Sequence, residues 1–289
     1  MLVAGCICLN ESEFIGRNLA QHLPWVDKFV VVEGCDVHYP RRNVTEDGLS
    51  TDGTADIVRS FPDPDRRLLF IQHGFAGDGR EGHGKVVLRD RYAQVMREQG
   101  WSGWFVHLDA DEFYLARDQL RINAILSGLS GLGGTGQRAL QLPTVHFWKT
   151  DECVVTGGYY SVQHTRFFRL ARGIHYRWSD EGSHNYPRDL SGRYVHHTGN
   201  GVCRQPLALV QSANGARHDT AACYHYGFCK SEENMRDKTE YYEARGELLS
   251  RPKTAASRRA WFLRGSDVPV PGLAVHKWCG EVVRDGKTV

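Results

Sequence analysis

The stretch from Phe105 to Tyr114 reads FVHLDADEFY and sets three carboxylates, Asp109, Asp111 and Glu112, within four residues directly after an apolar run. Like charges this close repel unless a cation lies among them, so a divalent metal is the first chemistry that the spacing suggests. In extended backbone the two aspartates of an Asp-x-Asp point to the same side, so that one can bind a metal and the other a metal or a sugar hydroxyl. The alternative is a helix N-cap or a solvated turn, the common setting of a lone Asp-x-Asp. His225, in ACYHYGF, is the candidate third ligand after Asp109 and Asp111, because a neutral imidazole beside carboxylates suits Mn²⁺. A core histidine bonded to a backbone carbonyl is the competing reading, and His196 and His197 in YVHHTG compete for the ligand role.

The elements that must position these groups are legible in the hydrophobic pattern. Val3 to Leu9 is an apolar run fit for a buried strand, Glu13 to Leu23 carries Phe14, Ile15, Leu19 and Leu23 at helical spacing, and Lys28 to Glu33 is a second buried strand. After a charged loop, Ser50 to Thr54 opens a helix running through Ile57, Val58 and Phe61. Leu68 to Gln72 is a third strand, 74–84 a glycine-rich loop, Lys85 to Gln99 a helix, and Trp104 to Leu108 the strand that ends on the acidic cluster. Alternating strands and helices predict a mostly parallel central sheet flanked by helices, whose ligands gather at the carboxyl ends of the strands. Beyond residue 115 the pattern loosens. Segment 127–136 reads as a Gly/Ser turn region, Leu140 to Phe147 and Tyr159 to Leu170 as strands of an antiparallel extension, and Ser231 to Leu249 as a charged helix.

Composition bounds the rest. The 289 residues, 41% hydrophobic and 24% charged, exclude a disordered chain and suffice for a large buried core. A net charge of +2 from 36 basic and 34 acidic residues permits a polyanionic partner without indicating one. The eight cysteines show neither CxxC pairs nor the density of a disulfide scaffold, and read as mostly buried, reduced thiols of a cytoplasmic protein. No run approaches the roughly 20 apolar residues of a membrane span, and the apolar start MLVAGCICLNE has no basic leader.

Taken together, CICLNESEFIGRNLAQHLPWVDKFVVVEG, STDGTADIV, the basic helix KVVLRDRYAQVM and WFVHLDADEFY resemble the nucleotide-sugar half of a GT-A glycosyltransferase, close to the family 2 group. TRFFRLARGIHYRWSDEGSH and HYGFCKSEENMRDKTEYY are similar to acceptor-side segments of its bacterial and phage members. The resemblance implies a Rossmann-like GT-A fold, with 1–115 as the donor half of a single domain, 116–245 as a mixed or antiparallel acceptor half, and 246–289 as a C-terminal extension. One departure lies after the second strand, where the usual DDGSTDGT becomes Glu33, a long insertion, and only then Ser50 to Thr54.

The resemblance also implies roles. Glu33 and Asp52 would meet the ribose or base of a nucleotide-sugar donor, a UDP-sugar being favoured, with the N-cap of the following helix the competing role for Asp52. Asp109 would join them, and Lys85 and Arg89, four apart on one helix face, would reach the diphosphate unless that face is simply solvated. Mn²⁺ or Mg²⁺ on Asp109, Asp111 and His225 would stabilise the leaving diphosphate. An inverting transfer needs a base some seventy residues further on, which points to Asp180 or Glu181, or to an exposed turn there, with Asp151 and Glu152 in reserve. The expected reaction is sugar transfer to a glycan, or secondly to a hydroxymethylated DNA base. A nucleotidyltransferase and a non-catalytic sugar-binding protein are the competing classes.

Overall fold

The computed structural model describes residues 1–78, 83–131, 139–156, 163–170, 174–176, 187, 202–204, 221–244, 274–277, 283–284 and 287–288. Its first half is a doubly covered parallel sheet. Strands β1 (Leu2–Cys8), β2 (Lys28–Asp36), β3 (Leu68–Ala76) and β4 (Gly103–Asp109) lie in the order β3-β2-β1-β4, all parallel. They are near-continuous apolar runs because both faces are buried. On one face Ala4, Cys6, Val31, Val106 and Leu108 pack against α1 (Ile15–His22), α2 (Thr54–Ser60) and α4 (Ala116–Gly131). On the other, Val3, Val30, Val32 and Phe105 pack against α3 (His83–Glu98).

The sheet continues past β4 with its direction reversed. β8 (Gln163–Leu170) runs antiparallel to β4, β6 (Ala139–Trp148) antiparallel to β8, β7 (Thr150–Thr156) antiparallel to β6, and β11 (Ala274–Lys277) antiparallel to β7. A short β9 (Val202–Arg204) adds to β6 in parallel. β10 (Cys223–Phe228) pairs in parallel with β6 and antiparallel with β5 (Glu112–Phe113), so it ties the acidic turn to the extension, and α5 (Glu232–Ala244) follows it. A third apolar cluster, including Phe14, Phe113, Phe147 and Tyr224, fills the space beneath. The two-residue strands β12 (Val283–Arg284) and β13 (Lys287–Thr288) pair only with each other among the described residues. The expected α/β architecture, a parallel half with an antiparallel extension, is what the chain adopts.

Two expectations change. The turn region placed over 127–136 is helical as far as Gly131, because Ile122, Ile125, Leu126 and Leu129 form an apolar stripe at i, i+3, i+4 and i+7 while Ser127, Gly128 and Ser130 face outward. Strands β2 and β3 do not end at Glu33 and Gln72 but run on together to Asp36 and Ala76 through a register shift at Gly34. A side chain on Gly34 would collide with the Gly74 carbonyl, so these glycines mark a close backbone approach rather than a loop. Cys6, Cys8, Cys35 and Cys223 are buried free thiols, and Cys153 and Cys229 are half-buried ones. No helix among the described residues is long and apolar enough to cross a membrane.

Candidate functional site

The carboxyl ends of β1, β2 and β4 open into a cavity of about 330 Å³, closed on its far side by β10, α5 and the histidines of β6 and β8. The acidic turn at the end of β4 is held from behind. Asn18, fully buried on α1, donates its side-chain amide to the carbonyls of Ala110 (3.1 Å) and Glu112 (2.9 Å), and Tyr226 donates its backbone N–H to the Asp111 carbonyl (2.8 Å). His22, one turn after Asn18, accepts from the Tyr114 N–H (3.3 Å) at Nε2 and therefore donates from Nδ1 to the Asn18 carbonyl (2.9 Å). The backbone of residues 109–114 is thus fixed by side chains of α1, leaving its carboxylates to face the cavity.

Those carboxylates have cations of the protein among them. Arg166 of β8 bonds Glu112 and reaches Asp109 (3.2 Å), and Arg89 of α3 reaches the other oxygen of Asp109 (3.3 Å). Lys230, just after β10, bridges Glu11 and Asp111 (3.1 Å). Burial works to raise the Asp109 and Asp111 carboxyls, yet both are held well below the usual carboxylate range, Asp109 chiefly by Arg166, His107 and Arg89, and Asp111 by Lys230 and His225. Glu112 moves the other way, since burial and the charges of Asp109 and Asp111 outweigh Arg166. Burial likewise lifts Glu11 to about 7 against the pull of Lys230. Repulsion within the turn is therefore already relieved by guanidinium and ammonium groups, and a metal does not follow from repulsion alone.

The case for a metal narrows to Asp111 and His225. The His225 Nε2 lies 3.3 Å from Asp111 Oδ1, and both side chains line the cavity. Asp109, the remaining predicted ligand, turns to its guanidinium partners, and among the described residues no three His, Cys, Asp or Glu side chains converge to hold an ion. One carboxylate oxygen and one imidazole nitrogen still suit Mn²⁺ or Mg²⁺, which commonly keep waters and substrate phosphates as their remaining ligands. Glu11 Oε2, a buried oxygen with no hydrogen-bond partner, adds an acceptor at the same end of the cavity.

Lys85 and Arg89 both line the cavity, with the Lys85 ammonium 5.5 Å from the Tyr242 ring centre. Glu33 and Asp52 do not line it. Glu33 accepts from the Ser50 N–H (3.0 Å) and the Gln72 amide (2.8 Å), and Asp52 accepts from the N–H groups of Thr54 (3.0 Å) and Ser12 (2.9 Å). At the end of β2 it is Asp36 that reaches the cavity, capping the start of α3 through the Gly84 N–H (3.1 Å). Asp151 and Glu152 sit on β7 and do not line the cavity. Asp180, Glu181, His196 and His197 lie outside the described residues.

Sequence reasoning passed over Glu11, His146, His164, Arg166 and Lys230, all of which line the cavity. The available signal was a titratable residue inside an otherwise apolar strand, as with His146 between Val145 and Phe147; Arg166, in the mixed run QHTRFFRL, carried no such mark. Lys230 follows a strand and had no such mark.

No family model and no curated protein matches the chain. Solved structures similar to it include S. aureus TarS, with a TM-score of 0.44 and 12% identity over 91% of this chain and 44% of that one. A second is S. aureus TarS 1–349 in complex with UDP-GlcNAc, with a TM-score of 0.46 and 13% identity over 91% of this chain and 73% of that one. A third is a mycobacterial protein, with a TM-score of 0.36 and 11% identity over 96% of this chain and 83% of that one. The chain thus spans less than half the length of the first of these.

Proposed function

We propose that this chain is a divalent-cation-dependent glycosyltransferase that moves a sugar from a nucleotide-sugar donor to an acceptor hydroxyl with inversion. The observation that carries the reading is the Asp111–His225 pair facing a cavity at the carboxyl ends of a parallel sheet, beside the cations of Lys85, Arg89 and Lys230. Asp111 and His225 would hold Mn²⁺ or Mg²⁺, which supplies Lewis-acid stabilisation to a leaving diphosphate. Lys85, which lines the cavity, would meet the same diphosphate, and Asp109, paired with Arg89 and Arg166, would accept from donor hydroxyls. Glu33 and Asp52 shape the donor pocket from outside by fixing the backbone at Ser50, Thr54 and Ser12. The base that takes the acceptor proton is assigned to Asp180 or Glu181, and the acceptor to a glycan first and a hydroxymethylated DNA base second.

The test is a donor assay with a panel of nucleotide sugars that includes UDP-GlcNAc, with Mn²⁺ or Mg²⁺ and again with excess chelator. The wild-type protein releases free nucleoside diphosphate only with metal, and Asp111→Asn lowers turnover by at least a hundredfold while circular dichroism and melting remain those of a folded protein. Release of pyrophosphate instead points to nucleotidyl transfer. Undiminished turnover in chelator overturns the cation, and no turnover with any donor overturns the enzyme.

A further inference from the structure

Asp111 already has a cation of the protein on it. Lys230 Nζ lies 3.1 Å from Asp111 Oδ2 and also bonds Glu11 Oε1, while His225 Nε2 stands 3.3 Å from the other Asp111 oxygen, Oδ1. The ammonium lies 5.7 Å from the centre of the Phe14 ring, and the lysine side chain is 6% exposed. Glu11, Asp111, His225 and Lys230 all line the cavity. A place between two carboxylates, from the segments that follow β1 and β4, is thus filled by a single positive charge. Glu11 keeps a second buried oxygen, Oε2, with no hydrogen-bond partner among the described residues.

A divalent ion on Asp111 and His225 would contend for that same place. An imidazole can become a ligand itself, whereas an ammonium has three donors and no lone pair, and meets an incoming cation only with like charge. Lys230 is therefore the partner of Asp111 that has to give way. Its four-carbon stem is flexible enough to let the head move. A buried ammonium that loses a carboxylate is costly unless another anion replaces it. Glu11 keeps one side of the head, and a diphosphate in the cavity offers the second anion through a charge-assisted hydrogen bond. Were Lys230 only a tie between the segments after β1 and β10, removing it would loosen the site and weaken every ligand.

Resting on the reading of Asp111 and His225 as the cation-binding pair, we propose that Lys230 is a resident counter-cation, which competes with the divalent ion for Asp111 and passes to the donor's diphosphate when that ion enters. No proton moves: the ammonium keeps its three protons and changes only its partner. The free protein then holds a divalent ion weakly, because Lys230 already pairs Asp111, and holds it better once a diphosphate is there to receive the lysine.

The experiment uses the full chain. Electron paramagnetic resonance follows the binding of Mn²⁺, without nucleotide, to the wild-type protein and to two variants. Lys230→Met keeps the stem and loses the ammonium, and Lys85→Met removes a cavity cation whose contacts are the Tyr242 hydroxyl and the rings of Tyr241 and Tyr242. We expect Lys230→Met to bind Mn²⁺ about tenfold or more tightly than wild type, a gain that a damaged site does not give, and Lys85→Met to stay within about threefold. Unchanged or weaker binding by a folded Lys230→Met, where wild type binds, overturns the proposal and leaves the cation reading intact. An equal gain in Lys85→Met does the same, since the effect is then one of overall charge. Should Lys230→Met fail to fold, nitrogen-15 NMR of the lysine ammonium groups decides on the wild-type protein. Adding Mg²⁺ to the UDP-bound protein shifts the Lys230 signal, assigned with Lys230→Arg, and an unmoved signal overturns the proposal. No Mn²⁺ binding by wild type or variant, with or without UDP, overturns the cation reading and this proposal with it.

Discussion

Arg166 is the side chain on which the acidic turn depends. Its side chain is 9% exposed, and it touches both Asp109 and Glu112, the latter 1% exposed. Removing one partner of a buried ionic group leaves uncompensated charge and costs about 3–5 kcal/mol, whereas an exposed arginine costs under about 0.5 kcal/mol. Arg166→Met is therefore expected to lower unfolding stability in urea at pH 7 by several kcal/mol, and exposed Arg91→Met to leave it unchanged. A loss below about 1 kcal/mol for Arg166→Met would mean that the carboxylates find other partners. The acids of this cluster were legible because three in four residues at a strand end is unusual. Arg166 was not, because its meaning comes from the β8–β4 pairing that brings residue 166 beside 109, and strand pairing is not written in local spacing.

At the scale of elements, the insertion after β2 turns out to be a wall of the site. Its short 3-10 turn, Arg41–Asn43, is fastened to α5 through Asp237, whose side chain is 2% exposed and receives Arg42 at 2.6 Å and the Asn43 amide. Tyr39 packs on Tyr241 with ring centres 5.9 Å apart, and both line the cavity. Charged hydrogen bonds of this kind contribute about 1.5–3 kcal/mol each, so Asp237→Ala is expected to speed amide exchange at residues 41–51 and along α5 by at least tenfold, with β1 and β4 unaffected. Unchanged exchange in both segments would show the fastening to be incidental. The strands and helices of the first half were readable to within a few residues because each buries a continuous run or a helical stripe. The insertion was not, because its order comes from a helix far along the chain. α4 was missed for a different reason: its small residues fall on the exposed side and mimic a turn.

Across the whole molecule, burial holds several histidines neutral. Burial moves His22 and His164 to about 3, and burial with the Arg89 charge does the same for His107. A histidine depressed in the folded state contributes stability that is present above the unfolded value near 6.5 and is lost as pH falls toward 3, because the unfolded chain then binds more protons. Each contributes a loss on the order of 2 kcal/mol at pH 5. Glu11, raised from 4.5 to about 7, acts in the opposite sense, since its stabilising effect is complete below 4.5 and is lost as pH rises through 7; it offsets roughly one histidine. The melting temperature is thus expected to fall by roughly 5 °C or more between pH 7 and pH 5, as read by calorimetry, and a flat profile would mean that the histidines are not held neutral. The cavity has one more consequence at this scale. Lys230 reaches Glu11 across 219 residues and Asp237 reaches Arg42 across 195. A chain emerging from the ribosome can assemble β1 to β4 early, but its acidic mouth stays open, without its lysine and its helical wall, until residues 221–244 have been synthesised. The site is therefore completed only once residues 221–244 have joined it, by contacts of long range and slow closure, and until then Glu11 and Asp111 stand without the ammonium that pairs them.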